Sequence, residues 1–125
     1  MYLGNDTAIT RTAYGHKLFV DTRDISLTLH LLLDGDWEHW IATVVRRTVK
    51  PGMVAVDIGS NCGFYSLLIA DGVGSAGRLY AFEANPRMHD LIPAAKSPDS
   101  SRSGHTFDNS GFCRLLESRD FRPLV

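Results

Sequence analysis

Two carboxylates that accompany apolar runs are the residues of this chain best suited to chemistry. Asp57 lies near the end of the apolar residues 53–58, and Glu83 directly follows the apolar residues 79–82. If both runs are parallel strands, their carboxyl ends face one crevice, which is where ligands of such sheets bind. Asp57 could accept a hydrogen bond from a cationic amino group there, and the two oxygens of Glu83 could accept from both hydroxyls of a ribose. The pair predicts one half of a nucleoside-binding site.

A glycine turn lies between the two carboxylates. Gly59 and Gly63 allow the backbone to approach a ligand closely and allow the following helix to pack against the strand. The free N–H groups at the start of that helix form a partly positive rim. Ser60 and Asn61 lie inside the turn and join the predicted cofactor-binding residues. Asn85, beyond the second carboxylate, could contact the ribose or the adenine, although capping its own helix is the simpler role.

The spacing of the glycines bears on which cofactor the turn accepts. The dinucleotide fingerprint is G-x-G-x-x-G, but three residues separate Gly59 from Gly63, and Asn61 stands at the second glycine position. A pyrophosphate needs that position bare, whereas a nucleoside without phosphates does not. Asp57 also suits an ammonium group better than a phosphate. The pattern favours S-adenosyl-L-methionine over NAD.

The elements that must position these residues follow one another along the chain. Residues 53–58 predict a first strand, whose lack of alternation indicates that both faces are covered. Residues 64–70 predict a buried helix, and residues 71–77, with three glycines, predict a loop. A second strand is expected at 78–82. A helix at 86–92 begins with a proline, which suits the first helical position.

The upstream residues predict a hairpin followed by two helices. Weak alternation in 8–13 and an apolar run at 17–20 flank a turn signal, which is typical of a β-hairpin. Asp24 is expected to cap a helix at 25–33, and Gly35 supplies a left-handed end to that helix.

The second of these helices, at 37–48, carries an apolar stripe. Asp36 is a good N-cap for it, and its apolar residues recur at i, i+3, i+4, i+7 and i+8, which is one helical face. We expect this stripe, and with it both tryptophans, to lie in the core or at its rim. The stripe consists of Trp37, Trp40, Ile41, Val44 and Val45.

Composition and charge narrow the classes of partner. The net charge is -1, so no general attraction to nucleic acid or to an anionic membrane is implied. No apolar run approaches the length of a membrane span, and the N-terminus lacks a signal-peptide pattern, which predicts a cytoplasmic protein. Cys62 and Cys113 lack the spacing of metal ligands, so no metal site is predicted. Cys62 is expected to be a buried free thiol.

Three segments together match the pattern of an enzyme family. Residues 56–66 read VDIGSNCGFYS, residues 80–86 read YAFEANP, and residues 24–38 contain an acidic residue, a helix, and then glycine, an aromatic residue and glutamate. Over about residues 14–92 the chain resembles the FkbM-type family of S-adenosylmethionine-dependent methyltransferases. The resemblance implies a Rossmann-like fold and methyl transfer to a hydroxyl of a small-molecule or sugar acceptor. It also implies that Glu38 contacts the methionyl end of the cofactor, beside its simpler role near a helix N-terminus.

The chain departs from that family after residue 92. Residues 94–125 contain six serines and four arginines without strand alternation or a helical face, which predicts an irregular or disordered tail and no third strand. Family members continue through further strands, so we expect a truncated or frame-shifted chain with an incomplete Rossmann-like α/β fold. Its parts are a hairpin and helical lead-in at 1–50, the first half of the cofactor-binding domain at 51–93, and the tail.

The catalytic base and two alternative functions stay open at the level of the sequence. A hydroxyl acceptor benefits from a general base, and His89, after the ribose-site turn, is the nearest candidate. His30 and His39 have ordinary helical positions, which favour surface or packing roles. The alternatives to a methyltransferase are a non-catalytic remnant of the fold and a NAD-binding oxidoreductase fragment, which the missing G-x-G disfavours.

Overall fold

The structure is a computed structural model that describes residues 1–91, 106–107 and 114–117. It forms a mixed α/β fold with a small antiparallel sheet and a second sheet built on a parallel pair of strands, in agreement with the predicted α/β class. None of the helices within these ranges is long and apolar enough to cross a membrane. In chain order, the elements are β1 (Tyr2–Gly4), β2 (Thr7–Arg11), β3 (Lys17–Asp21), α1 (Leu27–Leu33), α2 (His39–Thr48), β4 (Val54–Ile58), α3 (Phe64–Val73), β5 (Arg78–Phe82), α4 (Pro86–Leu91), β6 (Thr106–Phe107) and β7 (Arg114–Glu117).

The N-terminal residues form a three-stranded antiparallel sheet in the order β1-β2-β3. The predicted hairpin is confirmed, because β2 and β3 pair with Ala8 opposite Val20. The sequence did not predict β1, a three-residue edge strand that pairs with β2 through Tyr2 and Gly4. Ala8, Leu18 and Val20 are buried in a core that also contains side chains from α1, α2 and α3.

The second sheet has the strand order β4-β5-β7-β6. Its strands β4 and β5 are parallel, with Val56 opposite Tyr80, and they confirm the two strands that the sequence predicted. Strand β7 pairs antiparallel with β5, and β6 pairs antiparallel with β7. The expectation of no strand within 94–125 is therefore wrong for residues 106–107 and 114–117. Their strand character depends on the pairing of β7 with β5 and of β6 with β7 rather than on local alternation, and the rest of the tail lies outside the described residues.

Helix α3 covers one face of the second sheet, where Ile69, Ala70 and Val73 pack against side chains of β5. The helix continues to Val73, and a 3-10 turn follows it, so most of the loop predicted at 71–77 is helical. Gly72 lies within the helix at a point where α3 approaches Val49 closely, since a Cβ there would lie 2.8 Å from Cγ1 of Val49. This glycine serves packing and does not end the helix.

Strand β4 is covered on one face only within the described part of the chain. Val54, Val56 and Ile58 are 67%, 56% and 84% exposed, whereas Ala55 packs against the core beneath α3. The prediction that both faces are covered is therefore wrong for these residues. An apolar run shows that a strand can be buried on both faces, but the neighbours that bury it come from elsewhere in the chain.

The apolar stripe of α2 is a core face only in part. Trp40 and Val44 are 69% and 61% exposed, so the predicted burial is wrong for them, while Trp37 and Val45 pack against the core as predicted. The buried residue of this helix is Ala42, because the small side chain allows α2 to approach its neighbours closely. Helix α2 begins two residues later than expected, since Glu38 has a left-handed backbone with φ of 46°.

Candidate functional site at the carboxyl ends of the parallel strands

The glycine turn is anchored to the end of β5. The N–H groups of Gly59 and Ser60 both donate to the carbonyl oxygen of Phe82, at 2.8 and 3.1 Å. The buried Ser60 hydroxyl donates to the same oxygen at 3.4 Å. These contacts hold the turn at the carboxyl ends of β4 and β5, the edge at which the sequence predicted a site. Ser60, predicted to bind the cofactor, directs its hydroxyl to this strand end and anchors the turn.

Three residues of the turn have left-handed backbone angles. The φ angles of Gly59, Asn61 and Gly63 are 79°, 50° and 91°, and for a residue with a side chain this conformation costs about 1 kcal/mol. Gly63 is the N-cap of α3, and its carbonyl accepts from the Leu67 N–H at 3.0 Å. A Cβ on Gly59 would meet no atom of the described residues within 4 Å. Open space therefore flanks the turn at Gly59.

The Glu83 carboxylate faces the glycine turn. Its Oε2 accepts from the Asn61 N–H at 2.6 Å, and its Oε1 accepts from the Asn85 N–H at 2.7 Å. A carboxylate oxygen can accept more than one hydrogen bond, so each oxygen keeps capacity for a ligand hydroxyl. The structure thus brings together the turn and the acidic residue that the sequence paired.

The Asp57 carboxylate lies at the same edge of the sheet and receives one side-chain hydrogen bond from the described residues. The Ser66 hydroxyl donates to its Oδ2 at 2.6 Å. Burial raises the pKa of Asp57, the Ser66 hydrogen bond opposes that shift, and the charge of Glu83 adds to it. Among the residues that the structure describes, neither Asp57 nor Glu83 forms an ion pair with a cationic side chain. Within the described part of the chain, the two carboxylates therefore have no cationic side chain to offset their charge.

The two asparagines differ in what their side chains do. Asn85 Oδ1 accepts from the Arg87 N–H at 3.0 Å, which confirms the predicted capping of α4. Asn61 Oδ1 is buried and has no donor within the described part of the chain. Leaving a buried acceptor unpaired costs about 1–3 kcal/mol, so Asn61 is the turn residue with unused hydrogen-bonding capacity.

Cys62 lies in the turn without the properties of a nucleophile. Its side chain is 2% exposed and forms no disulfide. Burial raises the pKa of its thiol to about 12, so thiolate is scarce at neutral pH. The prediction of a buried free thiol is confirmed for Cys62, and Cys113 lies outside the described residues.

The three histidines whose side chains the structure describes do not supply a base at this edge. His30 and His39 are exposed on their helices, as predicted, and His16 is buried against Asp71 at 2.6 Å. The side chain of His89, the candidate from the sequence, lies outside the described part of the chain. Within that part, no group of three or more His, Cys, Asp or Glu side chains could hold a metal ion.

Glu38 approaches the start of α3. Its Oε2 accepts a hydrogen bond from the hydroxyl of Tyr65, the second residue of that helix, at 3.1 Å. Burial raises the pKa of the Tyr65 phenol above its usual value, and the hydrogen bond to Glu38 raises it further. Glu38 is therefore held beside Tyr65, which lies two residues after Gly63. The role that the family resemblance implies for Glu38 stays a prediction.

A separate cleft of about 720 Å³ lies between the hairpin turn, α2 and the far half of α3. The Tyr14 hydroxyl donates to the carboxylate of Asp36 there at 3.1 Å, and the Arg46 guanidinium lies 4.9 Å from the centre of the Tyr14 ring. Leu68, Asp71 and other lining residues belong neither to the glycine turn nor to the Glu83 segment. This cleft is distinct from the candidate site.

Sequence reasoning missed one contact that supports the site. Asp21, at the end of β3, meets Arg87 of α4, which is 66 residues away in the chain. Neither residue has a motif or a periodic position, so no signal in the sequence pairs them.

Fold and site together define a mixed α/β protein with a glycine turn and two carboxylates at the carboxyl edge of a parallel strand pair. Comparisons of the chain with protein-family models, with curated proteins and with solved structures gave no match. The function is therefore argued from the geometry and charge of the site.

Proposed function

We propose that this chain binds S-adenosylmethionine at the carboxyl ends of β4 and β5, as the cofactor-binding part of a methyltransferase. One observation carries the proposal: Asp57 and Glu83 flank the glycine turn with no cationic partner among the described residues. S-adenosylmethionine brings a sulfonium and an ammonium, which would offset this negative charge. The pyrophosphate of NAD would add to it.

The residues present suit this cofactor. The remaining acceptor capacity of Glu83 fits the two ribose hydroxyls, and Asp57 fits the ammonium of the methionyl group. The buried Asn61 Oδ1 has no donor among the described residues, and the adenosine or an ordered water would supply one. The open space beside Gly59 leaves room for a ligand to lie against the backbone of the turn.

The bound cofactor would supply an activated methyl group for in-line displacement by an acceptor. The contribution of the chain to such a reaction is to hold the donor in one orientation and to keep water from it. A small-molecule or sugar hydroxyl is the acceptor class that the family resemblance implies. If the chain is instead a non-catalytic remnant of the fold, it would retain cofactor binding without methyl transfer.

Calorimetric titration with three ligands tests the proposal. S-adenosylhomocysteine carries the ribose diol and the ammonium, 5′-methylthioadenosine carries only the diol, and NADH carries a pyrophosphate. We expect S-adenosylhomocysteine to bind most tightly, 5′-methylthioadenosine to bind more weakly, and NADH not to bind. Folded protein that binds NADH, or neither of the other ligands, would refute the proposal.

Matched variants separate the carboxylate from general effects of charge. Glu83→Gln places an amide NH₂ opposite a backbone N–H and removes one acceptor, so both adenosine ligands should bind about 10- to 100-fold more weakly. Asp34→Asn removes an exposed carboxylate just after α1 and should leave both affinities unchanged. Equal effects of the two substitutions would show that Glu83 is not in the site.

A further inference from the structure

We propose that Arg87 is a positioning residue for the Glu83 carboxylate, and that the N-terminal antiparallel sheet is the anchor it uses. This inference rests on the proposed function, from which it takes S-adenosylmethionine as the ligand. The role of Arg87 is argued from hydrogen bonds between described residues. It assigns a supporting role in the cofactor site to Asp21 and to the turn at 5–6, which the sequence analysis placed in the hairpin and helical lead-in at 1–50.

Arg87 joins α4 to the N-terminal sheet through two nitrogens of its guanidinium group, Nε and Nη2. Its Nε donates to Oδ2 of Asp21, and its Nη2 lies 3.4 Å from Oδ1 of the same carboxylate. The Nη2 group also donates to the backbone carbonyls of Asn5 and Asp6, at 2.7 and 2.9 Å. These acceptors belong to β3 and to the turn between β1 and β2. Helix α4 is thereby fixed against elements more than 60 residues earlier in the chain.

The same residue begins a continuous series of hydrogen bonds that ends at the glycine turn. The Arg87 N–H donates to Asn85 Oδ1 at 3.0 Å, and the Asn85 N–H donates to Glu83 Oε1 at 2.7 Å. Glu83 Oε2 then accepts from the Asn61 N–H at 2.6 Å. Asp21 holds the guanidinium, the guanidinium holds the first turn of α4, and that turn holds the carboxylate against the loop.

The Asp21 carboxylate, which accepts from the Arg87 guanidinium, is well suited to anchor that side chain. Asp21 is 5% exposed and also accepts from Arg23, at 2.9 Å from Nη2. A buried carboxylate that receives two guanidinium groups is held in one orientation, since its oxygens are engaged from two directions. Arg23 is two residues away from Asp21 in the sequence, and its hydrogen bonds and ion pairs with described residues go to Asp21 and Asp6 and not to α4, so it provides a matched control for Arg87.

The test measures the site with and without a ligand. Amide hydrogen exchange by NMR reports whether Glu83 still accepts from Asn61 and Asn85, and titration with S-adenosylhomocysteine reports affinity. We expect Arg87→Met to accelerate exchange of both amides by at least about tenfold and to weaken binding by about tenfold. Exchange of the Leu18 amide, in β3, should stay near the wild-type rate. A purely structural role would instead accelerate exchange in β3 to the same extent.

Two further variants keep the test decisive. Arg23→Met removes the other guanidinium from Asp21 but leaves every contact of Arg87, so it should change the exchange of the site amides and the affinity less than Arg87→Met does. If Arg87→Met does not fold, Arg87→Lys replaces it, because a single ammonium cannot span the carboxylate and two carbonyls. The proposal is overturned if the folded Arg87 variant exchanges and binds like the wild type. Wild-type protein that binds no adenosine ligand would refute the proposed function, while the exchange measurements would still decide the role of Arg87.

Discussion

Two aspartates on neighbouring sheets, Asp21 of β3 and Asp57 of β4, have opposite electrostatic surroundings. Asp21 is buried and receives Arg23 and Arg87, and hydrogen bonds from Arg23 hold the pKa of Asp21 well below its usual range. Asp57 receives one hydroxyl, and burial raises the pKa of Asp57. The chain supplies the counter-charge in the first case and does not supply it among the described residues in the second.

This difference distinguishes a structural carboxylate from one that faces a ligand. Removing charge from water is costly, and the cost is offset when a cation and good hydrogen bonds replace the water. For Asp21 the offset is part of the fold. For Asp57 the offset would arrive with a cationic ligand, and a carboxylate whose pKa is raised by burial is for that reason a candidate for function.

Removing Asp21 should have the largest effect on stability. Asp21→Ala leaves Arg87, which is 31% exposed, without its carboxylate. We expect the free energy of unfolding to fall by about 2–3 kcal/mol, which is below the loss for a fully buried pair because solvent reaches Arg23. Urea denaturation measures this loss. A loss no greater than that of the Arg23→Met control would mean that Asp21 does not anchor Arg87.

Neutralising Asp57 should mainly change the relative affinities for ligands with and without an ammonium group. Asp57→Asn keeps an acceptor for the Ser66 hydroxyl but removes the charge proposed to meet the ammonium. We expect S-adenosylhomocysteine to bind about tenfold more weakly and 5′-methylthioadenosine, which lacks the ammonium, to bind as before. Calorimetry on both ligands measures the difference. Equal weakening of the two ligands would contradict the assignment of Asp57 to the ammonium.

The pH dependence of stability should carry opposite signs for the two aspartates. The folded pKa of Asp21 lies below the ordinary value of 3.8, so its stabilisation is present above that value and is lost as the pH falls toward the folded pKa. The folded pKa of Asp57 lies above 3.8, so its contribution favours folding at low pH and is lost as the pH rises through the folded pKa.

Urea titrations of the single variants between pH 3 and pH 8 would separate these contributions. Asp57→Asn should raise the free energy of unfolding at pH 7 and change it less at pH 4. Asp21→Asn should lower the free energy at pH 7 and flatten its decline toward acid. A parallel shift of both curves across the whole range would show that neither group titrates differently in the folded protein.

The smallest effect is expected at Asn61. Asn61→Gly removes a left-handed side-chain residue and a buried acceptor without a donor, so the free energy of unfolding should rise by about 0.5–1 kcal/mol. Urea denaturation measures the gain. Asn61→Ala keeps the left-handed strain and serves as the control, and a gain of the same size in both variants would place its origin in the side chain alone.

Local patterns predicted the part of the fold that depends on neighbours in sequence. The strands β4 and β5, the turn that begins at Gly59 and the cap at Asn85 all follow from runs of apolar residues, glycines and a residue before a proline. These features are predictable because a strand end, a left-handed turn and a helix cap are each decided within a few residues. The approach of Glu83 to the turn followed from the parallel pairing of the two strands.

Burial was predicted less well, because it depends on which elements meet. The same apolar stripe that indicates a core face leaves Trp40 and Val44 exposed on α2, and the same unbroken apolar run leaves Val56 exposed on β4. Residues 114–117 carry no strand pattern of their own and become a strand because β5 offers an unpaired edge.

By itself, the sequence determined the side chains available at the site: a glycine turn between two strands, with an acidic residue at or near the end of each strand. Only the tertiary structure decided which carboxylate would be neutralised by the chain, because Asp21 and Arg87 meet across 66 residues through the packing of α4 on β3. Ion pairs of this kind depend on the distance between atoms in space, and a one-dimensional pattern contains no information on that distance.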